Sequence, residues 1–118
     1  MHRIMLASKI HRAVAQDVNL EYEGSITIDE TILAAADILP YQQVQVYNLS
    51  TGARFETYAL AGEAGSGKII VNGAAARLVH PGDLLIIAAY ALIVEARAAD
   101  HKPRIVLLDQ RNRITATV

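Results

Sequence analysis

Residues 84–94 read Leu-Leu-Ile-Ile-Ala-Ala-Tyr-Ala-Leu-Ile-Val, and no other stretch limits the fold as strongly. A helix that crosses a bilayer needs about 20 apolar residues, so this run is too short to span one. It starts directly after Pro81-Gly82-Asp83, a clear turn signal. The simplest reading is a buried strand. Further short strands fall on both sides of it. Val44 and Val46 alternate with Gln43, Gln45 and Tyr47, and Arg54 to Leu60 follows the Thr51-Gly52 turn with Arg54, Glu56 and Tyr58 on one face. Ile69 to Val71, Arg104 to Leu108 and Ile114 to Val118 complete the set.

The segment Leu20 to Asp29 also alternates with period two. Leu20, Tyr22, Gly24, Ile26 and Ile28 share one face, and Ser25, Thr27 and Asp29 the other, which predicts one half-buried strand with a Gly-Ser break. Asp29 reads as the N-cap of a short helix through Ala34, Ala35 and Ala36 that stops before Pro40. Asn72-Gly73 reads as a tight turn, and Ala74 to Leu78 as one or two helical turns. Many short strands with one or two short helices predict a small, mainly β barrel, with residues 1–118 as a single domain.

Composition removes several function classes. A chain of 118 residues with 53% hydrophobic content can fill a core without staples. It has no cysteine, so disulfides and thiolate metal sites are excluded. A net charge of −1 lacks the basic excess of a nucleic-acid-binding surface. His2, Arg3, Lys9, His11 and Arg12 interrupt the apolar residues of the first 14 positions, which is not a signal-peptide pattern. The expectation is a cytoplasmic protein that engages neither membrane nor nucleic acid. His2, His11, His80 and His101 are too scattered to predict a metal site.

Gly62-Glu63-Ala64-Gly65-Ser66-Gly67-Lys68-Ile69 imitates a phosphate-binding loop. Its last position lacks the hydroxyl that would hold magnesium, and the β-branched residues that follow do not open a helix. A flexible loop between strands, with Lys68 in solvent, is the better reading. Lys9 and His11 would face the same way on a strand.

Several stretches together resemble the pyruvoyl-dependent aspartate decarboxylase family over nearly the whole length. They are Met5-Leu6 with Lys9-Ile10-His11-Arg12, Tyr22-Glu23-Gly24-Ser25 with Ile28-Asp29, and Asn48 with Thr51-Gly52 and Arg54-Phe55. Thr57-Tyr58, Val71-Asn72-Gly73-Ala74-Ala75-Ala76 and Gly82-Asp83 complete the match. Tyr47 stands where relatives often carry tryptophan, which alters pocket size.

The resemblance implies a double-psi β-barrel, a homotetramer with active sites between subunits, and conversion of L-aspartate to β-alanine and carbon dioxide in pantothenate synthesis. It also implies self-processing between Gly24 and Ser25, giving chains 1–24 and 25–118. Ser25 would attack the Gly24 carbonyl to form an ester. Elimination and hydrolysis with loss of ammonia would then leave a pyruvoyl group at position 25, the ketone that forms a Schiff base with the substrate amine. Gly24 suits that attack because it has no Cβ to crowd the incoming oxygen. The resemblance makes Thr57 the oxyanion donor and a substrate contact, and Tyr58 the proton donor. A tyrosine phenol, with an ordinary pKa of about 10, carries its proton at neutral pH.

Aspartate has two carboxylates, which suits Arg54, with its planar fork, and Lys9. Asn72, Gly73, Ala74 and Ala75 would complete the pocket, with His11 and Tyr22 as further contributors. The sequence leaves open an accessory maturation protein and side activity on other dicarboxylic amino acids. A non-enzymatic β-barrel binding module is the alternative from another class.

Overall fold

The computed structural model describes residues 1–21 and 24–118. The chain order is β1 (His2–Val14), β2 (Asp17–Asn19), β3 (Ser25–Asp29), α1 (Glu30–Ala36), β4 (Gln43–Asn48), β5 (Arg54–Gly62) and β6 (Ile69–Asn72). A 3₁₀ helix (Gly73–Leu78), β7 (Leu84–Val94), α2 (Glu95–Ala98), β8 (Arg104–Leu108) and β9 (Ile114–Thr117) follow. The strands form a mixed sheet in the order β2-β6-β3-β5-β4-β7-β1-β8-β9. Three pairings are parallel, β1 with β8, β2 with β6 and β3 with β5.

The sheet must curl on itself. Ile26, Ile28 and Val71 come from one end of the strand order, and Ile10, Val106 and Leu108 from the other, yet all six belong to one buried cluster. Ile32, Leu33 and Ala36 of α1 add to that cluster. The mainly β architecture with short helices therefore agrees with the sequence. Among the described residues no helix is long and apolar enough to cross a membrane.

Four expectations need correction. Residues 20–29 are not one strand: β2 ends at Asn19, Leu20 and Glu21 lie in a turn, and β3 begins only at Ser25. Nor is β3 half-buried, because strands lie on both sides of it and α1 follows, so Ser25 and Asp29 are buried along with Ile26 and Ile28. Asn72-Gly73 is not a separate tight turn, since Asn72 ends β6 and Gly73, at φ 68°, already opens the 3₁₀ helix. The run 84–94 is a strand, but only its first half is buried. Leu85, Ile87 and Ala89 reach the core, whereas Tyr90, Leu92 and Val94 lie on an exposed extension paired with the start of β1.

β1 carried no strand signal because two bulges break its period. Leu6 pairs with Tyr90 and Ser8 with Ala89, so residues two apart face opposite ways across Ala7; the same happens at Arg12, between His11 and Ala13. Arg12 takes φ 67°, the backbone turn that the second bulge needs.

Candidate active site

The sheet register brings Lys9, His11, Arg54 and Tyr58, four of the expected site residues, onto one face. Arg54 on β5 lies opposite Tyr47 on β4, Tyr47 opposite Ile86 on β7, and Ile86 opposite His11 on β1. The next row runs Glu56, Gln45, Ala88, Lys9 across the same strands. Directly paired residues point to the same side, so Lys9, His11 and Arg54 share a face with Tyr58, two residues beyond Glu56. Tyr58 pairs with Gln43. The Arg54 guanidinium carbon sits 3.9 Å from the centre of the Tyr47 ring, and the Tyr47 hydroxyl is 2.8 Å from that of Tyr90. Ile4, Gln43, Gln45, Tyr47, Ala88 and Tyr90 line a concavity of ≈ 430 Å³ on this face.

Ser25 occupies the start of β3 and is fully buried. Asn72 lies opposite it on β6, and the Asn72 side-chain amide donates to Ser25 Oγ at 3.0 Å and to Thr27 Oγ1 at 3.1 Å. On its other side β3 runs parallel to β5, with Ile26 level with Ala59. One step back along that ladder Ser25 comes level with Tyr58, and Gly24 lies just before the strand. By strand alternation Ser25 and Tyr58 share one side of the sheet, and Thr57 lies on the other. Gly24 is exposed, and nothing lies within 4 Å of where its Cβ would be.

His11 is half-buried, and its Nδ1 has no hydrogen-bond partner among the described residues. Burial lowers its pKa, and the positive charges of Lys9 and Arg12 lower it further, so the site favours the neutral ring. Gly73 is buried beside Asn72, Ala75 is half-buried and Ala74 exposed, all three at the start of the 3₁₀ helix. Tyr22 lies outside the described residues.

The glycine-rich loop binds an anion, but the anion is the chain's own Asp29. Asp29 Oδ1 accepts from the backbone amides of Thr31 at 2.8 Å and Gly65 at 3.0 Å, and Oδ2 from Gly67 at 2.8 Å. The loop is thus tied down rather than flexible, and its amides are not available to a phosphate; Lys68 is exposed. The N-cap role expected of Asp29 holds.

Tyr90 was missed by sequence reasoning. The available signal was weak: it is the only residue with a polar group in the run 84–94. Among the described residues no three His, Asp or Glu side chains group closely enough to hold a metal ion.

Comparison with known proteins bears on the whole chain. The family model described as aspartate decarboxylase matches residues 1–115. The chain is 62% identical over 113 residues to the aspartate 1-decarboxylase of Syntrophobacter fumaroxidans, covering 96% of this chain and 91% of that protein. It is 52% identical to that of Thermoanaerobacter pseudethanolicus, covering 96% and 97%, and 56% identical to that of Moorella thermoacetica, covering 98% and 91%. A designed protein, mkDPBB_sym_86, aligns with a TM-score of 0.47 at 15% identity over 70% of this chain and 91% of its own. The fold is the mainly β, double-psi barrel of the family, and the chain belongs to the aspartate decarboxylase family.

Proposed function

We propose that the chain removes the α-carboxylate of L-aspartate, giving carbon dioxide and β-alanine, with a pyruvoyl group made from Ser25 as its electron sink. The observation that carries this reading is the setting of Ser25. A fully buried serine begins a strand directly after an exposed glycine, under the amide of Asn72. A ketone oxygen can only accept hydrogen bonds, and Asn72 Nδ2, already donating to two hydroxyls there, is a suitable donor for it. When formed, the group supplies the carbonyl that takes up the electron pair left by carbon dioxide.

The chain's own residues do the rest. The lack of a Cβ on Gly24 leaves its carbonyl open to the Ser25 hydroxyl, and the hydroxyl of Thr57, on the adjoining strand β5, stabilises the resulting oxyanion. Tyr58, level with Ser25, holds the proton that replaces the departing carboxylate. Arg54 and Lys9 bind carboxylates from the cationic face, with neutral His11 beside them. Asn72, Gly73, Ala74 and Ala75 close the pocket next to Ser25, and Tyr22 is a further substrate contact.

The chain would act in the cytoplasm as a homotetramer with its sites between subunits. Arg54 stands four residues along β5 from Tyr58, roughly 13 Å at the usual strand rise, which favours a neighbour's cationic face over the chain's own. Mass spectrometry of the purified chain, incubated alone, tests the reading. It should show fragments 1–24 and 25–118, the second blocked at its N-terminus, with β-alanine formed from L-aspartate. Ser25→Ala should abolish both cleavage and turnover. An intact wild-type chain that still makes β-alanine would refute the proposal.

A further inference from the structure

Two phenol hydroxyls on the cationic face have no part in the proposed reaction. Tyr47 on β4 and Tyr90 on β7 meet at 2.8 Å. The Arg54 guanidinium stacks on the Tyr47 ring, 3.9 Å from its centre. Arg54 is exposed, and no ion pair holds it among the described residues. The carboxylate nearest along its own strand, Glu56, instead accepts from Gln43 Nε2 at 2.9 Å and Gln45 Nε2 at 3.0 Å. The ring of Tyr47 is therefore the contact that orients the guanidinium.

Stacking satisfies the face of a guanidinium and leaves its N–H edge free, which is the edge that grips a carboxylate. A long side chain oriented in advance loses less freedom when its ligand arrives. We propose that Tyr90 is a positioning residue for the substrate carboxylate: its hydroxyl fixes the Tyr47 ring, and that ring holds Arg54 in its binding orientation. Tyr47 keeps its proton at neutral pH. Burial raises the Tyr47 pKa, the Tyr90 hydroxyl raises it further, and Arg54 opposes this only in part. The inference rests on Arg54 being a carboxylate-binding residue.

Tyr90→Phe keeps the ring and removes one hydroxyl. In the processed protein it should raise KM for L-aspartate about three- to tenfold, the weight of a stacked cation at a partly exposed site. The Kd of succinate, a dicarboxylate without an amine, measured by calorimetry, should rise in step. The kcat should stay within about twofold, and the rate of self-cleavage should be unchanged. Tyr47→Phe should give the same result, and the double variant should resemble either single one, because all three lose one shared contact.

Arg54→Lys separates the two levels of the claim. If it weakens succinate binding while both phenylalanine variants bind normally, the positioning role is wrong and Arg54 keeps its function. If Arg54→Lys binds succinate as well as the parent, the carboxylate-binding reading falls with it. A Tyr90→Phe chain that loses kcat, cleavage and melting temperature together would show a merely structural role and overturn the inference.

Discussion

Asp29 holds three backbone amides with one buried carboxylate. One carboxylate caps α1 and holds two amides of the 62–68 loop, and it sits at the end of the strand that begins with Ser25. Burial opposes its charge, but hydrogen bonds from the Gly67, Gly65 and Thr31 amides outweigh burial, so its pKa lies below the ordinary carboxylate value. A carboxyl whose folded pKa is depressed contributes stability that is present above its unfolded pKa of about 3.9. That contribution is lost as pH falls through the folded value. Asp29→Asn keeps Oδ1 for Thr31 but turns a donor toward Gly67 N–H, leaving a buried donor unpaired. It should cost about 2–3 kcal/mol at pH 7 and flatten the acid limb of the stability curve. Urea unfolding at pH 7 and near pH 3 checks both effects.

At the level of elements, the loop between β5 and β6 ties together parts far apart in the chain. Asn112 Nδ2 donates to the carbonyls of Gly67 and Val14, both at 2.9 Å, which joins the β8–β9 turn, the loop and the end of β1. Gly67 is held against this junction. At φ +70° its Cβ would lie 2.9 Å from the Arg111 carbonyl oxygen, whereas Gly65, at φ +77°, faces open space. Gly65→Ala should therefore cost only the left-handed strain, about 1–2 kcal/mol. Gly67→Ala adds a backbone clash and should cost about 2–4 kcal/mol. Denaturant midpoints of the two variants should fall in that order, and equal losses would mean that the junction yields.

On the scale of the molecule, the β1–β7 ribbon projects past the core and gives the chain a long axis of 43 Å against 28 and 24 Å. It exposes Ile4 at 74% and Leu92 at 67%, with Val94 and Tyr90 beside them. A two-stranded ribbon is marginal in water on its own, so an apolar face on one fits contact with another copy. Such contacts would let the cationic face of one chain meet Ser25 of the next. Two inactive variants, Ser25→Ala and Arg54→Ala, should then complement each other when co-assembled. Random mixing in equal amounts restores about a quarter of the sites if each draws on two chains. Turnover of the mixed oligomer measures this, and no recovery would place the whole site within one chain.

Local chemistry was legible in the residues themselves. Asp29 capped the helix it was expected to cap, Pro81-Gly82-Asp83 turned into the apolar strand, and Arg54, Glu56 and Tyr58 shared a face because period two needs no partner to be read. What period could not show was β1, whose bulges at Ala7 and Arg12 reverse the alternation, and the true start of β3. Nor could it show that Asn72 reaches Ser25 across 47 positions or that Tyr90 meets Tyr47 across 43. Such pairings belong to strand order and register, which arise only when distant segments bury a common core. The sequence determined which groups are present and which way each strand can turn them; tertiary structure decided which of them meet.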